Sequence, residues 1–390
     1  MRKDWEYKKL GEVAISDLGK TLNKSKDTGT LYPYLCAINI LWDKIDLSTL
    51  KETRFEDDEL ERYTVKYGDL LVCEGGDTGR AAIWDKQETM LYQNALHRIR
   101  LNNEINSRFL LYYLWQLKLN GEIDAKYSKG VTIKHLVKSS LMSIPTPLPP
   151  KPTQLAIVAE LDKINELIQL KKQQLKDYDQ LAQSIFYEMF GDPVENEKGW
   201  EVKKLGEICD IRDGTHDSPK YVEHSDYLLI TSKNIENNFI SFENVNYITE
   251  EDFLRINKRS KVDDGDIIMP MIGTIGNPII VKLVNNINFA IKNVALIKFY
   301  STSSVINYYL QSLMKSSSFE KDITRFHKGG TQKFIALGTI RNFKIPLPPL
   351  PLQQQFAARI EAIERQKQQV SETIKDLETL LASRMQYWFD

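Results

Sequence analysis

The sequence predicts an α+β chain: two copies of one mixed α/β module, separated by a spacer of two long antiparallel helices that pair as a coiled coil with pseudo-twofold symmetry. Three observations lead there. Two stretches of about forty residues carry apolar side chains in sevens, they lie 199 positions apart in one register, and the segments before them repeat as well. The boundaries that follow are 1–152 for the first module, 153–192 for the first helix, 193–351 for the second module and 352–390 for the second helix.

In the first stretch Leu161, Ile168, Leu175, Ala182 and Met189 fall at one heptad position, and Ile157, Ile164, Lys171, Tyr178 and Ile185 at the other. Adding 199 gives Ile360, Lys367, Ile374, Leu381 and Trp388, then Phe356, Ile363, Val370, Leu377 and Arg384. Neither stripe is apolar enough to be buried alone, so each helix is the natural partner of the other. The expected seam sets Ile157, Leu161, Ile164, Ile168, Leu175 and Tyr178 against Ile360, Ile363, Val370, Ile374, Leu377 and Leu381. Both helices follow a proline pair, Leu148-Pro149-Pro150 and Leu347-Pro348-Pro349, with Gln154 and Gln353 in matching places. Proline fixes φ and lacks an N–H, so it breaks what precedes it and can open a helix. A rod of about 38 residues is roughly 57 Å long. The first helix carries the chain out of one module into the next, so a second helix packed on it must run back.

The modules repeat in order. Trp5-Glu6-Tyr7-Lys8-Lys9-Leu10-Gly11-Glu12 returns as Trp200-Glu201-Val202-Lys203-Lys204-Leu205-Gly206-Glu207, and Gly68-Asp69-Leu70-Leu71 as Gly265-Asp266-Ile267-Ile268. Gly76 and Gly79 return as Gly273 and Gly276, which points to a shared tight turn. Asn94-Ala95-Leu96 answers Asn293-Val294-Ala295, and Tyr112-Tyr113-Leu114 answers Tyr308-Tyr309-Leu310. Short apolar runs at 70–73, 99–101, 228–231, 267–269 and 279–281 read as strands. The spacing over 108–119 and 305–315 predicts helices. Gly191 before Pro193 is placed to end the first long helix. In contrast, 16–34 and 212–227 occupy the same place in the repeat and share almost nothing. The first carries Lys20, Asn23, Lys24 and Lys26; the second carries Gly214-Thr215-His216 and Lys220. A common frame with divergent polar loops suggests two modules that recognise different things.

Catalytic patterns are missing. There is no Gly-x-x-x-x-Gly-Lys-[Ser/Thr] loop for ATP, and no Asp/Asn-Pro-Pro-aromatic tetrapeptide, because both Pro-Pro pairs follow leucine. Glu6-Tyr7-Lys8 resembles the tail of a nuclease motif, but no upstream carboxylate completes it. His216, Asp217 and His224 could be drawn as metal ligands, yet no partner cluster accompanies them. Cys36, Cys73 and Cys209 are not spaced for zinc and fit a reducing cytoplasm. No apolar run reaches the length of a membrane span, and Met1-Arg2-Lys3-Asp4-Trp5 lacks the apolar core of a signal peptide.

A formal net charge of −1 does not single out a polyanionic partner, but the distribution does. Residues 201–250 hold five basic and ten acidic side chains, whereas 301–350 hold seven and two. The same swing separates 51–100, with eight and eleven, from 101–150, with six and three. Within those basic segments Lys126-Tyr127-Ser128-Lys129-Gly130-Val131-Thr132-Ile133-Lys134 aligns with Arg325-Phe326-His327-Lys328-Gly329-Gly330-Thr331-Gln332-Lys333. Cations neutralise phosphate, glycine lets the main chain approach, and threonine donates a hydrogen bond. The expected DNA contacts are therefore Lys24, Lys26, Lys126, Lys129, Thr132, Lys134, His216, Lys220, Arg325, Lys328, Thr331 and Lys333. In the second divergent loop His216 and Lys220 are expected at base edges.

The order of these motifs, used twice, resembles the specificity subunit of type I restriction–modification enzymes. The Trp-x-x-x-x-Leu-Gly-Glu starts, Gly-Asp-[Leu/Ile] strands, Lys-Gly-x-Thr loops and Leu-Pro-Pro-x-x-x-Gln helix openings carry the resemblance over essentially the whole chain. Asp213-Gly214-Thr215-His216 followed by Pro219 resembles a common opening of such target recognition domains. The resemblance implies two target recognition domains on a helical spacer, each reading half of a split sequence in double-stranded DNA. It implies a non-catalytic cytoplasmic subunit with no cofactor of its own. Two methyltransferase subunits and the restriction/translocase subunits would bring S-adenosylmethionine, Mg and ATP. The rival readings are a coiled-coil adaptor with protein-binding ends, and a nuclease or methyltransferase with a degenerate motif.

Overall fold

Each long helix opens at a Pro-Pro pair and is anchored by one buried glutamine. Gln154 Oε1 accepts the Asn106 N–H at 2.8 Å, while its Nε2 donates to the carbonyls of Glu104 (3.0 Å) and Pro149 (2.9 Å). Gln353 does the same with the Ile306 N–H (3.0 Å), Ser304 (3.0 Å) and Pro348 (2.8 Å). Both side chains are buried. Only a carboxamide side chain pairs one carbonyl acceptor with two N–H donors in this way, and a buried group stranded without its partner costs about 1–3 kcal/mol. The helices run Lys151–Phe190 and Leu350–Phe389. Gly191 closes the first with φ 75°, and its N–H donates to the Tyr187 carbonyl.

The computed structural model describes residues 4–23, 28–130, 134–236, 239–273, 275–283, 287–324 and 334–390. The chain forms two compact units, Met1–Lys172 with Glu372–Asp390, and Gln173–Ser371, so each long helix contributes one half to each unit. In the first unit Glu160 holds Arg384 and accepts from Trp388 Nε1, and Lys172 pairs with Glu378 at 2.7 Å. In the second, Asp179 pairs with Lys367 at 2.8 Å, and the Arg359 guanidinium approaches the Met189 sulfur. Within both units rising numbers on one helix meet falling numbers on the other, which is antiparallel pairing. The seam lysine Lys367 is neutralised by Asp179 and Glu364.

Ile157, Leu161, Ile164, Ile168, Ile360, Ile363, Val370, Ile374 and Leu381 are buried, whereas Leu175, Tyr178 and Leu377 are only half-buried. Toward the helix ends the buried residues become Phe186, Phe190, Met385 and Phe389 instead of Ala182, Met189 and Trp388. A straight helix of 3.6 residues per turn drifts off a seven-residue repeat, and here the drift turns the last aromatic residues into the globular cores. Phe389 meets Phe109 and Tyr113 at 5.3 and 5.5 Å between ring centroids. Phe190 meets Tyr309 and Phe356 at 4.7 and 5.2 Å.

Each globular part holds two four-stranded sheets. In the first unit an antiparallel sheet runs Ala14–Leu18, Leu96–Leu101, Leu70–Cys73, Ala81–Ile83. Its counterpart in the second runs Cys209–Asp213, Val294–Phe299, Ile267–Pro270, Ile279–Ile280. The other sheets contain one parallel pair each, Thr30–Leu35 with Met90–Tyr92 and Tyr227–Ile230 with Asn288–Ile291. A two-stranded clip pairs Glu6 with Leu148 in one unit and Glu201 with Leu347 in the other. The Gly-Asp motif is a turn lock. Gly68 and Gly265 take φ of 85° and 82°. Asp69 accepts the Lys66 N–H and pairs with Arg100, as Asp266 does with the Asp263 N–H and Lys298. Gly76, Gly79, Gly273 and Gly276 all have positive φ, as a tight turn requires.

Candidate nucleic-acid interface

The divergent loops are fastened to the frame by one device built twice. Gly19 and Gly214 leave the first strand of each antiparallel sheet where any Cβ would lie 2.3 Å from the Gln93 carbonyl carbon and 2.2 Å from the Ile291 oxygen. Only glycine allows that approach. The next residues, Lys20 and Thr215, form parallel bridges with Gln93 and Lys292. Their carbonyls accept the N–H groups of Asn94 and Asn293. A side-chain bond completes each tie. Asn94 Nδ2 donates to Thr21 Oγ1 at 3.0 Å, and Asn293 Oδ1 lies 3.0 Å from His216 Nδ1. The repeat is offset by one residue just after this point. Gly19 and Gly214 donate to the carbonyls of Leu96 and Val294, so Leu96 matches Val294 and not Ala295. The first copy holds one extra residue in the turn.

In the second unit the loop after Asp213 is pinned along its length. His216 Nε2 lies 2.7 Å from Asp213 Oδ2, and Arg259 donates to Asp213 Oδ1 at 2.6 Å and to the Gly214 carbonyl. The Lys220 N–H donates to Asp252, and Lys292 Nζ reaches Ser218 Oγ at 3.3 Å. Hydrogen bonds to Asp213 and Asn293 raise the His216 pKa above its ordinary value. Asp213, His216 and Asn293 line a surface cavity of about 360 Å³ with Met271, Ile272 and residues 334–337. The anchor is the helix Glu250–Ser260, capped by Thr249, with acidic residues in its first turn and Lys258 and Arg259 in its last. Its exposed Arg255, Lys258 and Arg259 lie outside the residues the sequence singled out, although Thr249-Glu250-Glu251-Asp252 is a legible helix start.

The expected DNA contacts divide three ways. Lys24, Lys26, Thr132, Arg325, Lys328, Thr331 and Lys333 lie outside the described residues. Lys126 pairs with Glu122 at 2.5 Å, and Lys134 Nζ donates to the Asp124 carbonyl at 2.9 Å, both from exposed positions. Lys129 is exposed, its main chain tied to His135 beside Gly130 at φ 110°. Lys220 is exposed, and His216 has both ring nitrogens facing acceptors of the protein itself. Lys20, in the first divergent loop, is buried against Glu59 (2.5 Å), the Arg54 carbonyl and the Phe55 ring. His224 packs beside Tyr247, and no group of three His, Cys, Asp or Glu is placed to hold a metal among the described residues.

The chain matches the family model described as the type I restriction modification DNA specificity domain twice, over residues 2–177 and 197–379. The MjaVIII specificity subunit of Methanocaldococcus jannaschii is 25% identical, with 97% of this chain and 92% of that protein covered. The EcoBI specificity subunit of Escherichia coli is 23% identical over 78% of this chain and 68% of its own length. Among solved structures, an S subunit from M. genitalium superposes with a TM-score of 0.51 at 15% identity, covering 99% and 96% of the two chains. A chain from a study of assembly and conformational transition of the type I R–M system gives 0.54 at 20% identity, covering 100% and 98%.

Proposed function

Because the chain belongs to the type I restriction–modification DNA specificity family, we propose that it is the non-catalytic subunit reading a bipartite duplex target, one half-site per globular unit. Two methyltransferase subunits attach to it and carry S-adenosylmethionine; restriction/translocase subunits join through them with Mg and ATP. The observation that supports this reading most is the loop tie built twice, on Gly19 and on Gly214, with unlike loops hung from it. A shared frame with separate loops suits two readers of different sequences. Exchanging residues 16–34 for the matching loop of another family member, then mapping methylation by the assembled enzyme, is expected to change one half-site only. A change in both, or in neither, would remove the case for independent readers.

Phosphate contacts are assigned to Lys126, Lys129, Thr132 and Lys134 in the first unit and to Arg325, Lys328, Thr331 and Lys333 in the second. Lys24, Lys26 and Lys220 belong to the divergent loops. The two Lys-Gly-x-Thr loops share a sequence while the proposed half-sites differ, and the phosphate backbone is the part of DNA that does not vary. Lys129→Ala is therefore expected to weaken binding to cognate and scrambled duplexes equally and to flatten the log–log salt slope by about one unit. A salt titration checks this; loss of cognate binding alone with the slope unchanged would make Lys129 a base reader.

A further inference from the structure

The two loop ties are equivalent in position but differ in chemistry. Residue 21 or 216 reaches back to Asn94 or Asn293, each on the turn that leads into the central strand of the antiparallel sheet. In the first unit the tie is a threonine hydroxyl and does not titrate between pH 5 and 8. In the second it is an imidazole between two oxygens, Asp213 Oδ2 at 2.7 Å and Asn293 Oδ1 at 3.0 Å. With Asn293 Oδ1 toward the ring, both ring nitrogens face acceptors, and the imidazolium, with two N–H donors, satisfies both. The neutral ring keeps one donor and turns a lone pair toward the other oxygen. We infer that His216 is a positioning residue for the second recognition loop: as the imidazolium it clamps that loop between Asp213 and Asn293, and reading of the second half-site, unlike the first, weakens when the clamp loses its proton.

The surroundings of the ring bear on the direction. From the strand Cys209–Asp213, the Asp213 carboxylate favours the cation. From the helix Glu250–Ser260, Arg259 opposes it, and that guanidinium is itself bound to the other oxygen of Asp213. Asn293 adds a neutral acceptor, and Met271, Ile272 and Phe334 complete the cavity lining with apolar atoms. The net direction is upward. A histidine with a raised pKa contributes its clamp fully below the ordinary histidine range and loses it as pH rises through the raised value. The clamp is thus closed on the acid side and released on the alkaline side. Lys220 and the Ser218–Lys292 contact sit on the same loop, so its release removes one of the ties that hold them in place.

This inference rests on the family reading of the chain as a DNA-reading subunit, and the test separates the two. The full chain is assembled with its methyltransferase partner, and its target is first mapped by methylation. Affinity is then measured on three duplexes, carrying the intact target, a scrambled first half-site or a scrambled second half-site, from about pH 5.5 to about pH 8.5. For the wild type, the penalty for scrambling one half-site is expected to fall by about tenfold toward alkaline pH, the size of one charge-assisted contact, while the other penalty stays level. His216→Thr copies the first unit's tie and is expected to hold both penalties level across the range. His216→Ala is expected to give the weakened, alkaline-like penalty at every pH. Parallel profiles for wild type and His216→Thr would overturn the clamp while leaving the family reading intact. Equal pH dependence at both half-sites would overturn it too. A wild type that showed no target preference at any pH would overturn both.

Discussion

Ile168→Asp is expected to cost about 3–5 kcal/mol, the scale of a buried charge left without a partner. Ile168 is 2% exposed, on the first long helix and within the first compact unit. The side chain loses its apolar burial and gains a carboxylate that water does not reach. Two residues along the same helix, Leu170 is 65% exposed, so Leu170→Asp is expected to change stability by less than about 0.5 kcal/mol. Urea unfolding followed by circular dichroism compares the two. Equal effects would mean that the stripe facing the partner helix is not a seam. The pair of variants also isolates burial from helix propensity, because both introduce the same residue into the middle of a helix.

Phe389→Ala is expected to loosen the first unit alone. Its ring is buried against Phe109 and Tyr113, and truncating a core phenylalanine costs about 3–5 kcal/mol through lost burial and the cavity left behind. The damage should appear in the helix Ser107–Leu119, some 270 positions earlier in sequence, and not in Asn307–Met314. Hydrogen exchange with mass spectrometry resolves the two helices. Phe186→Ala serves as the mirror experiment, because Phe186 packs on Tyr309 and Phe356 in the second unit. Protection lost from Asn307–Met314 in the Phe389 variant would contradict the assignment of the chain end to the first unit.

Local chemistry was the most legible part of the sequence. Gln154 and Gln353 mark where the helices begin, and Gly-Asp pairs mark turns whose aspartates close on nearby donors. The long helices were visible from their stripe, but a strict count of sevens misassigned their last turns, where 3.6 residues per turn brings Phe186 and Phe389 inward. The helix Glu250–Ser260 has its cap and charge gradient written locally, but its first-unit counterpart region has only the short helix Asp57–Leu60, so the repeat offers no second instance. Partners far apart in sequence were not legible. Nothing near Lys20 signals that Glu59 and Phe55 will bury it, and His216 meets Asn293 across 77 positions. The sequence shows Asp213 beside this histidine but not the Asn293 oxygen on its other side.

The second unit is one continuous segment, Gln173–Ser371, whereas the first is closed by Glu372–Asp390. During synthesis the order of completion is therefore the reverse of the order of coding. Residues 1–172 leave the ribosome first but lack Met385 and Phe389, which belong to the first unit and are buried in the finished chain. The second unit has every residue it needs before residues 372–390 are translated. Nascent domains generally fold as units once their residues are available. Here the unit made first waits, with an apolar surface uncovered, for residues 372–390. A premature stop just before Glu372 is expected to leave a folded second unit joined to a first unit that never closes.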